Sequence, residues 1–104
     1  MDDPNRSDPI NGMPPIHPGE FLAEILEDRK MSQAGFARII GVSAMRISHV
    51  VRGERPVTAE LALRFGRALG QSPQLWSNWQ ANYDLKIAQN NLAQDLTKIP
   101  RLAA

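Results

Sequence analysis

Between Gln33 and Arg55 the chain sets out a series of side chains suited to a polyanion. Arg46 and Arg52 carry planar guanidinium forks that match guanine O6 and N7, or a phosphate. Ser43 and Ser48 can donate to or accept from base edges and backbone alike. Ala44 and Met45 can pack against a thymine methyl, and His49 can donate to a base or a phosphate. Gln33 falls in the first turn of a helix, where free backbone amides favour phosphate. Arg55 lies in the following loop and can reach a nucleic-acid backbone. The spacing leaves open which of these groups specify sequence and which only position the chain.

Charge is distributed unevenly along the 104 residues. Residues 1–28 hold seven acids and one base, whereas residues 29–55 hold six bases against Glu54 alone. The remainder holds five bases and three acids, for a net charge of +1. The positive charge thus falls on the segment with the candidate contacts, and phosphate attraction is the main source of DNA affinity. A plain solvated face is the alternative reading of these arginines.

The elements that must hold these residues read as a helix-turn-helix. Phe36 and Ile40 supply the inner face of one helix, and Ala37 is small enough for a second helix to cross it closely. Gly41 stands at the turn, where a left-handed backbone costs glycine little. Val42 is an apolar plug, and Ser43 is placed to cap the next helix. With Ile47 inward, Val50 and Val51 fall on its side at about 100° per residue, with Ala44 near the boundary. Met45, Arg46, Ser48, His49 and Arg52 form the outward surface. Such a unit lays its second helix in a DNA major groove.

The rest of the chain is also helical in pattern. Residues 1–15 contain four of the eight prolines and read as a mobile arm, with Met13 as an alternative start. Pro18, Gly19 and Glu20 open a first helix, with Phe21, Leu22, Ile25 and Leu26 inward. Ser32 caps the second helix. A third runs from about Ala44 to Arg52. Thr58 caps the fourth, with Leu61, Leu63, Phe65 and Leu69 inward, and Gly70 ends it. Ser72 and Pro73 start a fifth. No strand and no internal repeat is expected. The fold class is all-α, with one domain over residues 16–96 and a loose tail over 97–104.

The fifth helix carries two apolar stripes. Trp76, Trp79, Tyr83 and Ile87 share one arc, which can cover the core. Ala81, Leu85, Ala88, Leu92 and Leu96 lie roughly opposite. Nothing in so short a chain is left to cover the second stripe, which points to a homodimer. The alternative is a helix that stops near Ile87, with the later leucines frayed.

Other functions find little support. There are no cysteines, so disulfides and thiolate metal sites are excluded and a cytoplasmic address fits. No apolar run can span a bilayer. His17 and His49 lie in different elements, and no HExxH, phosphate loop or Ser/His/Asp set occurs. Glu24, Glu27 and Asp28 read as a solvated helix face. Neither catalysis, a cofactor, a metal nor a small-molecule substrate is expected.

A set of local sequences closely resembles the HigA-type antitoxins of the lambda-repressor-like (XRE) family. They are His17-Pro18-Gly19-Glu20, Ser32-Gln33 with Phe36-Ala37, Gly41-Val42-Ser43, Arg46-Ile47-Ser48 and Gly53-Glu54-Arg55. Further along come Thr58-Ala59, Ala62-Leu63-Arg64, Ala68-Leu69-Gly70, Ser72-Pro73, Trp76, Gln80-Ala81 and Tyr83-Asp84-Leu85. The resemblance spans roughly residues 16–90. It implies a five-helix domain that dimerises through its C-terminal part, at Ala81, Leu85, Ala88 and Leu92 here. It also implies binding to a palindromic operator, repression of the protein's own operon, and neutralisation of a HigB-type mRNA endonuclease. Gln33, Ser43, Ala44, Met45, Arg46, Ser48 and His49 fall at family DNA-contact positions, flanked by Arg52 and Arg55. Phe36 replaces the commoner leucine, and Met45 and His49 fall at variable positions. The acidic arm with Asp2, Asp3 and Asp8 is a candidate cover for a basic nuclease. Two other readings stay open: a stand-alone repressor without a toxin, and a protein-interaction module that no longer binds DNA.

Overall fold

The computed structural model describes residues 14–103, so the arm carrying Asp2, Asp3 and Asp8 and the start at Met13 lie outside the described residues. Among the described residues there are five helices and no strands. They are α1 (Pro18–Asp28), α2 (Gln33–Ile40), α3 (Ala44–Val51), α4 (Ala59–Leu69) and α5 (Pro73–Leu96).

Each helix starts where a side chain can satisfy its free amides. Ser32 Oγ accepts from the Gly35 amide, Ser43 Oγ from Arg46, Thr58 Oγ1 from Leu61 and Ser72 Oγ from Gln74. Helix α1 is capped less usually. His17 Nδ1 accepts from the Gly19 amide at 2.9 Å. At the other end of α2, Gly41 takes φ 77°, and its amide closes on the Ala37 carbonyl. Lys30 also has positive φ, at 54°, where the chain leaves α1.

The core is built from one face of each helix. Leu22, Leu26, Phe36, Ala37, Ile47, Val50, Leu61, Ala62, Phe65 and Trp76 are buried. Phe21, Ile25, Leu69 and Trp79 pack against them half-buried. A run of rings crosses the core: Phe36 to Phe65 at 5.6 Å, Phe65 to Trp76 at 5.0 Å, Trp76 to Trp79 at 5.0 Å and Trp79 to Phe21 at 4.4 Å. Their tilted and edge-on angles suit aromatic pairing. The Trp76 indole N–H donates to Gln71 Oε1 at 2.9 Å, so its buried polar atom is satisfied.

Leu63 departs from expectation. It is 61% exposed, whereas Leu61, Ala62, Phe65 and Gly66 form the inner face of α4. Two residues on a helix turn about 200°, so Leu61 and Leu63 cannot share a face. Helix α5 does not stop near Ile87 but continues to Leu96. At 1.5 Å per residue it is about 36 Å long, and its last two turns extend past the domain.

Two contacts fix α1 against the rest. A β-carbon on Gly19 would collide with the Val50 carbonyl oxygen, and would lie 2.8 Å from the carbonyl carbon. Only glycine lets the two backbones meet this closely. His17 is buried with its ring edge-on to Tyr83 at 4.9 Å. Burial lowers its pKa below the ordinary 6.5, against the opposing pull of Asp84, an Arg55 backbone hydrogen bond and Glu20. The neutral ring is also the one that can accept from Gly19.

Two expectations follow. Gly19→Ala should cost about 1–3 kcal/mol in urea unfolding, the usual range for overpacking a site with no free volume; unchanged stability would contradict the close approach. His17 binds a proton more readily unfolded than folded, so its contribution is complete above pH 6.5 and is lost as pH falls below that value. The melting temperature should therefore drop on acidification from pH 7.5 to 5.5, and His17→Asn, which can cap without titrating, should flatten that slope.

Candidate nucleic-acid interface

Helix α3 has one side locked and one side free. Ile47 and Val50 are wholly buried, at 0% exposure. Ser43, Ala44, Met45, Arg52 and Arg55 are exposed, and Arg46, Ser48 and His49 are half-buried. Met45 stands out at 67% exposure, apolar and uncovered. Every residue expected to face outward reaches the surface.

A groove of about 400 Å³ runs between α3 and the start of α4. Its walls bring together Ser43, Met45, Arg46, His49 and Arg55 with Pro56 and Thr58. Gln33, Ala44, Ser48 and Arg52 lie off this groove. Gln33 is the first residue of α2 and is exposed. Arg52 follows the last turn of α3 and pairs with Glu54 at 3.4 Å. The loop that carries Arg55 is set by α3 itself. The His49 carbonyl accepts from the Glu54 amide at 2.8 Å and the Arg55 amide at 3.2 Å.

The arginines are not all free. Arg46 Nη1 lies 3.5 Å from Glu60 Oε2, and Arg46 Nη2 donates to Thr58 Oγ1 at 3.5 Å. Glu60 also accepts from Arg64 Nε at 3.0 Å, and Arg64 Nη1 donates to the Ile40 carbonyl at 2.6 Å. Sequence reasoning missed Glu60 and Arg64 as neighbours of the surface. Their own spacing of four on a helix was a visible signal, but the link to Arg46 was not.

The second feature is the far side of α5. Ala81, Leu85, Ala88 and Leu92 are all exposed, Leu85 at 61% and Leu92 at 45%. The opposite side of the same helix holds Trp76, Trp79 and Tyr83 against the domain. Among the described residues nothing covers the leucine stripe. No helix among them is long and apolar enough to cross a membrane, and no group of three acidic or histidine side chains is placed to hold a metal.

The arrangement has known relatives. A helix-turn-helix family model (HTH_3) matches residues 22–76, from α1 into α5. Virulence-associated protein I of Dichelobacter nodosus is 44% identical over 82 residues, covering 78% of this chain and 76% of that protein. A HigA-family addiction module antidote protein from Coxiella burnetii superposes with a TM-score of 0.83 at 36% identity, over 88% of this chain and 100% of that one. Pseudomonas aeruginosa antitoxin HigA, solved with the higBA promoter, gives a TM-score of 0.83 at 37% identity, over 86% of this chain and 100% of that one. With the family match spanning the helix-turn-helix and its supports, this chain belongs to the XRE-type helix-turn-helix family, among its HigA-like members.

Proposed function

We propose that this chain is the DNA-binding antitoxin of a HigBA-like toxin–antitoxin pair, acting by binding and not by catalysis, in the cytoplasm. One observation carries the reading. Helix α3 is anchored by Ile47 and Val50 at 0% exposure, while Ser43, Met45, Arg46, His49 and Arg55 line the outward groove beside it. A helix held on one side and polar or cationic on the other suits a major groove. The similarity to a HigA solved with its promoter supports the same use.

Two copies pair through Ala81, Leu85, Ala88 and Leu92, and their α3 helices enter successive major grooves about 34 Å apart on one DNA face. Gln33, Arg52 and Arg55 hold phosphates and set the register. Ser43, Ala44, Met45, Arg46, Ser48 and His49 face the bases. Bound at its own promoter, the dimer represses its operon. In the same module it neutralises a HigB-type mRNA endonuclease encoded beside it. A neighbouring gene for a small basic nuclease separates this reading from a stand-alone repressor.

Arg46→Ala and Arg52→Ala should each cost about 1–3 kcal/mol of affinity for the DNA upstream of the gene, with the melting curve unchanged. Log affinity should fall steeply and linearly with log salt, with a slope of about −0.9 per phosphate neutralised. Wild-type affinity in both variants would contradict the assignment. Leu85→Glu combined with Leu92→Glu should give a monomer in sedimentation and weaken DNA binding, because two anionic side chains cannot be buried against a symmetric copy. A dimer that persists would place the interface elsewhere.

A further inference from the structure

We infer that Glu60 is a positioning residue that aims Arg46, so that base readout by α3 depends on α4. The inference rests on the reading of α3 as the DNA-contacting helix. Glu60 is the second residue of α4, two after the cap at Thr58, where a carboxylate suits the positive helix end. Its Oε2 meets two guanidinium groups at once, Arg64 at 3.0 Å and Arg46 at 3.5 Å. Arg64 reaches on to the last carbonyl of α2, at Ile40, with a 2.6 Å hydrogen bond. One chain of contacts thus runs from the end of α2, through α4, to the outward side chain of α3.

Exposed ion pairs of this kind contribute little to folding. Glu60 is 55% exposed in its side chain and Arg46 37%, so the network is not a core brace. Its consequence is geometric. Arginine has five N–H donors in one plane. Glu60 Oε2 lies 3.5 Å from Nη1, an ion-pair distance, and Thr58 Oγ1 accepts from Nη2 at 3.5 Å. Those two contacts draw the fork towards the start of α4 and leave Nε–H for a base edge or phosphate. A long, flexible side chain is thereby ordered before DNA arrives, which removes part of the ordering cost of binding. The carboxylate also repels phosphate. A duplex that gives Arg46 a matched pair of acceptors compensates for that repulsion, and one that does not is disfavoured. Glu60 therefore favours discrimination over raw affinity.

The test uses the full chain, a duplex that the wild-type protein selects from a randomised pool, and a scrambled duplex of equal length. Glu60→Gln keeps an acceptor and the side-chain length but loses the charge. It should leave the protein folded, with at most a small fall in melting temperature, and raise affinity for the scrambled duplex. The ratio of selected to scrambled affinity should fall by about tenfold, within the range of one bidentate base contact. Repeated selection with this variant should flatten the preference at the base pair that Arg46→Ala also loses. In an Arg46→Ala background, Glu60→Gln should change the ratio by less than about twofold, the limit for independent sites. The inference is overturned if Glu60→Gln keeps the wild-type ratio, or if it lowers the ratio equally without Arg46. If Arg46→Ala itself has no effect, Glu60 has nothing to aim and the inference falls, while DNA binding by α3 stands on its other residues. If the wild-type protein selects no duplex at all, the functional reading falls and takes this one with it.

Discussion

At Gly19 the backbone of α1 presses on the Val50 carbonyl of α3, with no space for a methyl group between them. The rest of the interface depends on that approach. It brings α1 close enough for α3 to bury Ile47 and Val50 completely. Once those two side chains are inside, the period of the helix obliges Met45, Arg46, His49 and Arg52 to lie on the outer half. No separate force has to push polar groups outward. The outer surface is what remains after the core has taken its share of an eight-residue helix.

The same economy links α3 to the far end of the molecule. Gln80 is buried in α5, and its Oε1 accepts from the Val57 amide at 2.8 Å, in the loop between α3 and α4. Its amide nitrogen donates to Asp84 Oδ1 at 2.9 Å, so both ends of the side chain are satisfied. A buried Val57 amide left unpaired would be costly, so this bond ties α5 to the loop behind the groove. Trp76, at the centre of the ring cluster, packs edge-on against Phe65 and so joins α5 to α4 from the apolar side. The helix proposed to pair two copies is therefore tied to the helix proposed to read DNA through the loop at Val57 and through α1, against which both pack. In the proposed dimer, half-site spacing would then be set by the fold and not by a flexible linker.

Local signals were legible in the sequence. The caps at Ser32, Ser43, Thr58 and Ser72 and the turn at Gly41 depend on a few neighbouring residues, and all appear in the structure. The apolar face of α3 followed from the angular position of Ile47 and Val50. Leu63 is hydrophobic but lies about 200° from Leu61 around α4, and on a helix the angle decides which of the two is buried. The cap from His17 was hidden, since histidine is an uncommon capping residue and its ring is held from behind by Tyr83. The contacts of Gln80 with Val57 and of Arg64 with Ile40 join residues more than twenty positions apart, and only the packed helices bring them together. Glu60 beside Arg46 likewise joins two helices, across fourteen positions. Its charge was visible, but its partner was not.

The central claim is that two copies of α3, held in fixed relation by α5, sit on one face of a duplex. Hydroxyl-radical footprinting of the protein on the DNA upstream of its own gene tests this most directly. The account predicts two protected patches on each strand, with centres about 10 base pairs apart and related by a two-fold axis. Uniform protection without phasing, a single half-site, or no protection at low salt would contradict it.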